Sequence, residues 1–399
     1  MTEFINDLIK SVWNGETVEV TLEQYQTIPS DVISNEGIVV SFENDKALLS
    51  RKNRVPVRPR MGHKYEMPPF ADNVRALLKR ALDGVKSCNI MLYGPMGTGK
   101  TEFVNEIARE MGFKVFHVNG VEEMGEDAFY GHMVCKIDKT SGQNYTPFEK
   151  GPLYRAFIEG TELDANGDQI LYDEQGNVTT DPSGMPRVVG KPAIFFLDEF
   201  AALRPEVFLG VFNRALEIPR NGSRSIEITA ENGKTIKSHP SMVMFFAGNT
   251  SGVGNSGKYQ FGYTAQSNRM DASTLNRMVA RFEFGYNLKA EDAIARGALN
   301  NDLEADRLMA MAKSLRELYL NEKVETLFST RNIVSITDAA QAYREMGGNR
   351  WMVDAIRDSV FNGLPEGDKT AWNEVIRALW NVDLIQESID AKSKDYFFI

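Results

Sequence analysis

"LYGPMGTGKTEFV", residues 92–104, contains Gly94, four free positions and then Gly99, Lys100 and Thr101. In this pattern the glycines let backbone N–H groups turn toward a phosphate, and the lysine adds a point charge for the β- and γ-phosphates. The threonine hydroxyl is placed to ligate Mg²⁺. A helix that begins near Lys100 would add its positive end to the same site. The stretch therefore predicts a nucleotide-binding loop made of Gly94, Pro95, Met96, Gly97, Thr98, Gly99, Lys100 and Thr101.

Apolar segments along the chain predict the sheet that carries this loop. Five runs resemble buried strands, namely NIMLY around 90–94, KVFHV at 114–118, AIFFL at 193–197, MVMFFA at 242–247 and RFEFGY at 281–286. Helical patterns separate several of them, and TEFVNEIAREM follows the loop directly. Strands that alternate with helices favour an α/β fold whose parallel sheet is covered by helices on both faces.

Acidic and amide side chains follow two of these strands. AIFFL leads into Asp198 and Glu199, and MVMFFA leads to Asn249. Asp198 is placed to hold Mg²⁺, Glu199 to polarise an attacking water, and Asn249 to orient that water. Each feature alone also fits a strand that runs into a polar turn, where Asn is common. Together with the loop, they favour a site that hydrolyses the nucleotide it binds.

The chain divides into three predicted regions. Residues 1–60 contain strand-like pieces and a basic linker, which predict a small N-terminal mixed domain. The α/β pattern occupies 61–287. From 288 to 399 the apolar residues recur at helical spacing, and Ser329 or Thr330 can cap one helix. We therefore expect an α/β nucleotide-binding domain followed by a helical lid and a C-terminal tail.

Two segments stand apart from this pattern. The basic cluster at 51–64 contains two prolines, so it is expected to be an extended connector, with nucleic-acid or docking contact as the alternative. The stretch at about 161–191 is rich in turn residues and predicts an exposed hairpin insertion. Its DANGD sequence does not fit a calcium loop, because the glycine comes too early in the loop and Gln175 replaces the required glutamate.

Composition excludes several classes of protein. No run of 18 apolar residues is present, so no membrane span is expected, and the first residues lack the basic region of a secretory signal. Two distant cysteines and four histidines favour neither a disulfide framework nor a zinc site. The formal net charge of −10 is unusual for a protein that grips nucleic acid through phosphates. We therefore expect a cytoplasmic protein.

Taken together, these motifs resemble the AAA+ ATPases. More narrowly, they are similar to the MoxR and dynein-related branch, and most similar to the ATPase subunit of aerobic cobalt chelatase. Three segments carry the narrower resemblance: FEKGPL at 148–153, AALRPEVFLGVFNRALE at 201–217 and the run from Gly248 to Met278. The resemblance covers about residues 65–345. It implies an ATPase that uses Mg²⁺ and assembles as a homo-oligomeric ring, most simply a hexamer.

The resemblance also assigns roles to two arginines. Arg277 occupies the place of the arginine finger, which reaches the γ-phosphate bound by a neighbouring subunit, although Arg281 is a nearby rival. Asn276 precedes Arg277 where relatives commonly have Asp, and Met278 follows where an aromatic is usual. Arg331, in the STRNIV segment, takes the place of the second sensor at the start of a lid helix.

Three functions fit this sequence. The first is an ATP-driven motor that remodels a protein partner, for which the resemblance implies a protein with a von Willebrand factor A domain as one candidate. The acidic balance favours this reading. The second is a nucleic-acid-linked, nuclease-coupled NTPase, in which the basic cluster would face nucleic acid. The third is a slow nucleotide-dependent scaffold, which the complete set of catalytic residues disfavours. Neither the metal chemistry of cobalt chelatase nor the choice of ATP over GTP can be read from the residues.

Overall fold

The fold is taken from a computed structural model, which describes residues 18–21, 24–25, 28, 38–43, 46–51, 65–84, 87–137, 143–219, 222–249 and 272–392. Contacts divide the chain into two units, Met1–Lys64 and Tyr65–Ile399. Most of the basic cluster, the segment at 250–271 and the aromatic C-terminus lie outside the described residues.

The first unit contains a three-stranded antiparallel sheet. Its strands are β1 (Val18–Thr21), β2 (Ile38–Glu43) and β3 (Lys46–Arg51), and β3 lies between the other two. The prediction of strand-like pieces within residues 1–60 is therefore confirmed. Arg51 was expected in the basic linker, but it is the last residue of β3, where it pairs with Ile38.

The second unit begins with helices and strands that surround the nucleotide loop. In chain order these are α1 (Ala71–Leu82), β4 (Asn89–Tyr93), α2 (Lys100–Met111), β5 (Lys114–Asn119), α3 (Asp127–Tyr130), β6 (Gly131–Met133), β7 (Lys136–Ile137), β8 (Asn144–Tyr145), β9 (Phe148–Lys150) and α4 (Pro152–Ile158). The next elements are β10 (Leu171–Tyr172), β11 (Val178–Thr179), β12 (Met185–Pro186), β13 (Ala193–Asp198), a short 3-10 turn (Phe200–Ala202) and α5 (Pro205–Ala215).

The remaining elements complete the sheet and then form the lid. They are β14 (Ser225–Ile228), β15 (Lys234–Lys237), β16 (Val243–Gly248), α6 (Ala272–Asn276) and β17 (Ala280–Glu283). The lid helices are α7 (Leu288–Leu299), α8 (Asp302–Leu320), α9 (Thr330–Glu345), α10 (Trp351–Ser359), α11 (Glu366–Trp380) and α12 (Leu384–Lys392).

The central sheet is parallel and has five strands in the order β17-β4-β16-β13-β5. The predicted α/β fold is therefore confirmed, and all five predicted strands are present. RFEFGY is a shorter strand than expected, because β17 ends at Glu283, opposite Tyr93. Beyond that pair the neighbouring strand β4 turns into the nucleotide loop, so β17 has no partner strand with which to continue.

Two hydrophobic cores cover the two faces of the sheet. One contains Phe195, Phe212 and Phe246, and the other contains Phe103, Phe196 and Phe245. Alternate residues of β13 and β16 therefore face opposite cores, and both strands are buried throughout. A third core joins the lid helices around Trp372. Among the described residues, no helix is long and apolar enough to cross a membrane.

The insertion at 161–191 is not a simple hairpin. Its strands β10, β11 and β12 form a three-stranded antiparallel sheet with β10 in the middle. The DANGD turn is closed by Asp164, whose Oδ1 accepts the backbone N–H groups of Asn166 and Asp168. The reason for the difference is a second turn of the same kind, in which Asp173 accepts the backbone N–H groups of Gln175 and Asn177. That turn joins β10 to β11, and a third turn, in which Asp181 accepts the backbone N–H of Ser183, returns the chain so that β12 pairs with the other edge of β10.

Candidate nucleotide site

The loop between β4 and α2 lies at the carboxyl end of the sheet. Gly94 has φ +142°, and a Cβ there would lie 2.1 Å from the carbonyl oxygen of Phe284. Gly97 and Gly99 also have positive φ angles, of +70° and +86°. These conformations and the tight approach require glycine, because an added side chain would be strained or would collide with neighbouring backbone. The loop can therefore turn its N–H groups inward.

Lys100 opens α2 and points back into the loop. Its Nζ donates to the carbonyl oxygens of Gly94 at 2.8 Å and Pro95 at 2.9 Å, and it lies 3.5 Å from Asn249 Oδ1. Burial is the main cause that lowers the pKa of Lys100 to about 8, while the nearby Glu199 and Asp198 oppose this shift. The ammonium group is thus buried in a space that favours a ligand with negative charge.

Thr101 and Asp198 meet beside the loop. The Thr101 hydroxyl donates to Asp198 Oδ2 at 2.5 Å, and His117 Nε2 lies 3.8 Å from the same oxygen. The hydroxyl and carboxylate oxygens are the ligand types that Mg²⁺ prefers. These two residues fit the predicted magnesium site, in which water and phosphate oxygens would supply the other ligands.

Glu199 and Asn249 come together at the ends of neighbouring strands. The Asn249 amide donates to Glu199 Oε2 at 3.0 Å. Glu199 has φ +52°, the left-handed conformation, directly after the end of β13. Burial raises the pKa of Glu199 above its usual value, Lys100 opposes the shift, and Asp198 adds to it. The pair therefore presents a carboxylate of increased basicity whose orientation is fixed by an amide.

The first turn of α9 packs against the loop from the lid. Ser329 is the N-cap residue, and its side chain and that of Asn332 form a capping box, which decides between the two predicted caps. A Cβ at Gly97 would lie 2.9 Å from Ser329 Cβ and 3.5 Å from the backbone nitrogen of Arg331. The positive charge of Arg331 helps to lower the pKa of Lys100 and opposes the rise in the pKa of Glu199. The structure therefore brings Arg331 to the site.

Sequence comparison adds to this geometry. Residues 89–262 match the family described as AAA domain (dynein-related subfamily). The match spans the nucleotide loop, the acidic pair and Asn249. We call the described α/β residues between Tyr65 and Asn287 the AAA domain, because this matched segment lies within that range. The match ends before Arg277 and the lid, and no curated protein shows significant similarity to the chain.

The chain also matches solved structures, at low sequence identity. RuvB from Thermotoga maritima, in a mutant form, has 15% identity and a TM-score of 0.42, with 80% of each chain covered. The Holliday junction branch migration motor form of the same RuvB has 15% identity and a TM-score of 0.40 over 80% of this chain and 81% of that one. A putative ATPase from Cytophaga hutchinsonii has 12% identity and a TM-score of 0.33 over 83% and 91% of the two chains.

The candidate finger, Arg277, lies away from the nucleotide loop of its own AAA domain. Its backbone carbonyl accepts the side-chain amide of Asn89 at 2.9 Å, which places it at the start of β4. Its guanidinium donates to Glu217 Oε1 at 3.1 Å. The rival Arg281 lies within β17 and donates to the carbonyl of Leu275 at 2.5 Å. The structure therefore brings neither arginine to the loop of its own chain.

Two tyrosines at the site were not identified from the sequence. Tyr65 donates its hydroxyl to the Gly99 carbonyl at 3.1 Å, and Tyr286 donates to the Met96 carbonyl at 3.0 Å. Tyr65 follows the basic cluster, and Tyr286 was assigned to the last predicted strand. The sequence signal for both residues was an aromatic side chain near the end of a predicted element. It is weak, because most such residues belong to the core.

Proposed function

We propose that the AAA domain hydrolyses ATP with Mg²⁺. The observation that carries this proposal is the hydrogen bond from Asn249 to Glu199, because it orients a basic carboxylate at the same sheet edge as Lys100. Bound ATP would supply an electrophilic γ-phosphate, and Mg²⁺ at Thr101 and Asp198 would offset the negative charge of the phosphates. A molecule that only binds nucleotide has no need of such a carboxylate.

Each residue of the site has a separate part in this mechanism. Lys100 exchanges its two carbonyl partners for phosphate oxygens when nucleotide binds. Glu199 accepts the proton of the attacking water, and its raised pKa makes it a stronger base than an exposed glutamate. Asn249 keeps one carboxylate oxygen in place, so the other can face the water. Arg331 supplies positive charge from the lid to the same region.

Two substitutions test this mechanism. Glu199→Gln retains the size of the side chain and loses the base, so we expect ATP to bind while kcat falls about 10²-fold or more. Lys100→Ala should lose nucleotide binding. Binding of a fluorescent ATP analogue and phosphate release measure the two properties separately. Hydrolysis by Glu199→Gln at the wild-type rate would show that another group is the base.

A shared site and a ring form the second part of the proposal. Arg277 is hydrogen-bonded to Asn89, and β4 runs five residues from Asn89 to Gly94, which is about 16 Å at the usual rise per strand residue. This distance supports a role for Arg277 on a neighbouring subunit rather than on its own nucleotide. Its ion pair with Glu217 is partly exposed, and such surface pairs are worth only about 0.2–1 kcal/mol. Release of Arg277 toward a neighbour would therefore cost little.

The third part of the proposal is the use of the energy, which we assign to remodelling of a protein partner in the cytoplasm. The acidic balance of the chain, with 55 acidic and 45 basic side chains, supports a protein client rather than nucleic acid. The resemblance to the MoxR and dynein-related branch adds a von Willebrand factor A-domain protein as a candidate client.

We also propose domain limits near residues 60 and 288. The separate hydrophobic core of the lid supports the second of these limits.

A trapped complex tests the client. Tagged Glu199→Gln protein is expressed in its native host and recovered in ATP and Mg²⁺, with Lys100→Ala as the control. We expect mass spectrometry to find one protein enriched only with Glu199→Gln. Nuclease-resistant DNA or RNA in its place would favour the nucleic-acid motor. Recovery of the chain alone would favour the scaffold.

A further inference from the structure

A buried ion pair joins two helices of the lid, and the mechanism above does not use it. Both terminal nitrogens of Arg316, on α8, donate to the two carboxylate oxygens of Glu291, on α7, each at 2.7 Å. The two side chains are 8% and 1% exposed. Burying two charges is costly, and a pair of apolar side chains would often stabilise a core as well. The presence of a buried ion pair at this position therefore indicates a role other than stability.

The pair contacts the first turn of α9 directly. Arg316 Nε donates to the backbone carbonyl of Phe328 at 2.9 Å, just before the N-cap of α9. The Thr330 hydroxyl donates to Glu291 Oε1. These contacts hold Phe328 and Thr330, the residues on either side of Ser329, and Arg331 is the next residue in the chain. The planar guanidinium thus holds the start of α9 and the carboxylate at the same time.

The other end of this network reaches the nucleotide loop. The Arg316 guanidinium lies over the ring of Tyr286, with 3.7 Å between the guanidinium carbon and the ring centroid. The Tyr286 hydroxyl donates to the backbone carbonyl of Met96, next to Gly97 in the loop. Gly97 in turn packs so closely against Ser329 that a Cβ at Gly97 would lie 2.9 Å from the Ser329 Cβ. One continuous network of contacts therefore connects the nucleotide loop, the ion pair and the start of α9.

We propose that Arg316 and Glu291 are positioning residues that hold Arg331 at the nucleotide, and that Tyr286 links them to the nucleotide loop. The inference rests on the proposed function, because it takes Arg331 to contact bound nucleotide. A change in loop conformation at Met96 would shift Tyr286, and the ion pair would carry that shift to α9. The lid would then close over the site when the loop holds phosphate.

The test is a double-mutant cycle with Arg331→Ala, read as the affinity for a non-hydrolysable ATP analogue and as kcat. Tyr286→Phe keeps the ring and removes the hydroxyl. The pair Glu291→Gln with Arg316→Met removes both charges, so no buried charge is left without a partner. We expect each change to weaken analogue affinity by about tenfold in the wild-type background. In the Arg331→Ala background the same change should weaken affinity by less than about twofold, because groups that act through one residue lose their effect when that residue is removed.

Two matched substitutions serve as controls. Tyr343→Phe removes a lid hydroxyl that binds Asp358, and Arg296→Met removes a surface arginine that binds three aspartates. Both should retain the wild-type affinity and kcat. Arg316→Lys keeps the charge but loses the planar fork, so it should behave as the paired variant does. Near-wild-type affinity in Arg316→Lys would contradict a requirement for the fork.

The outcomes separate this inference from the proposed function. Losses that multiply fully in the Arg331→Ala background, or wild-type affinity in Tyr286→Phe and the paired variant, would overturn the inference and leave ATP hydrolysis standing. If the wild-type protein binds the analogue but does not hydrolyse ATP, the proposed function fails and the affinity cycle still decides the inference. A protein that binds no nucleotide at all would overturn both.

Discussion

At the scale of single residues, the site depends on a lysine whose charge is costly to bury. Lys100 is 6% exposed, and its Nζ is held by the carbonyls of Gly94 and Pro95. Carbonyl dipoles compensate for lost water only in part, so burial lowers the pKa of Lys100 to about 8. Phosphate oxygens would stabilise the charged form more strongly than the carbonyls do, so nucleotide binding should raise this pKa.

This difference predicts a pH dependence of nucleotide affinity. Below about pH 8 Lys100 is charged in the free protein, and affinity should be at its maximum. As the pH rises through about 8, the free protein loses this proton while the complex keeps it, so affinity should fall by up to about tenfold per pH unit. Calorimetry between about pH 7.5 and 9.5, in buffers of different ionisation enthalpy, should detect proton uptake on binding. Constant affinity and no uptake would contradict the lowered pKa.

Asn249 carries a second prediction at this scale. Asn249→Ala removes the amide that holds Glu199 Oε2, while Lys100 and the loop remain. We expect nucleotide affinity within about threefold of wild type and kcat reduced by about 10²-fold, the range found for a misplaced base. Steady-state phosphate release and analogue binding measure the two quantities. Equal losses in both would mean that Asn249 acts on binding instead of on the base.

The sequence identified some of these residues and missed others for a physical reason. Lys100, Asp198 and Glu199 were predicted because their roles depend on local spacing after a strand, which is visible in the sequence. Tyr286 and the Arg316–Glu291 pair were missed, because their roles arise from contacts between segments that are distant in sequence. An arginine and a glutamate 25 positions apart on two helices have no local pattern that predicts an ion pair.

At the scale of elements, the insertion at 161–191 is attached to the hairpin of β14 and β15. Gln169 accepts from the backbone nitrogen of Lys237 at 2.8 Å and donates to its carbonyl at 2.7 Å. Asp168 binds Lys150 at 2.7 Å and Lys234 at 3.0 Å. Turn residues predicted that an insertion was present, but these contacts depend on a hairpin that comes much later in the chain.

The attachment predicts the effect of Asp168→Asn. Burial alone would raise the pKa of Asp168, but hydrogen bonds from Lys150 and Lys234 outweigh it and hold the pKa below its usual value. Loss of this charge should increase hydrogen exchange in 161–191 and 225–237 by about fivefold, as for a partly exposed ion pair. Asp72→Asn, which affects only an exposed ion pair with Arg75 on α1, is the matched control. Unchanged exchange in Asp168→Asn would show that other contacts hold the insertion.

At the scale of the whole molecule, the AAA domain lacks one part of its proposed site. Lys100, Asp198, Glu199 and Asn249 lie at the carboxyl end of the sheet, whereas Arg277 is fixed to Asn89 at the opposite end. Asn89 is itself held by the buried Arg224, which donates to its side-chain oxygen at 2.6 Å. These contacts hold the backbone of Arg277 at this end of the sheet, and its side chain is the part that can exchange Glu217 for another partner.

A mixture of two inactive variants tests directly whether the active site is shared between subunits. Arg277→Ala subunits keep an intact nucleotide loop, and Lys100→Ala subunits keep an intact Arg277. In a mixed ring with head-to-tail contacts, about a quarter of the interfaces would combine both intact halves, so we predict that up to about a quarter of wild-type ATPase activity returns. A parallel mixture with Arg281→Ala tests the rival finger. Lys100→Ala mixed with the Lys100→Ala/Arg277→Ala double variant should stay inactive. If no activity returns in either mixture although mixed rings form, the active site is not shared between subunits.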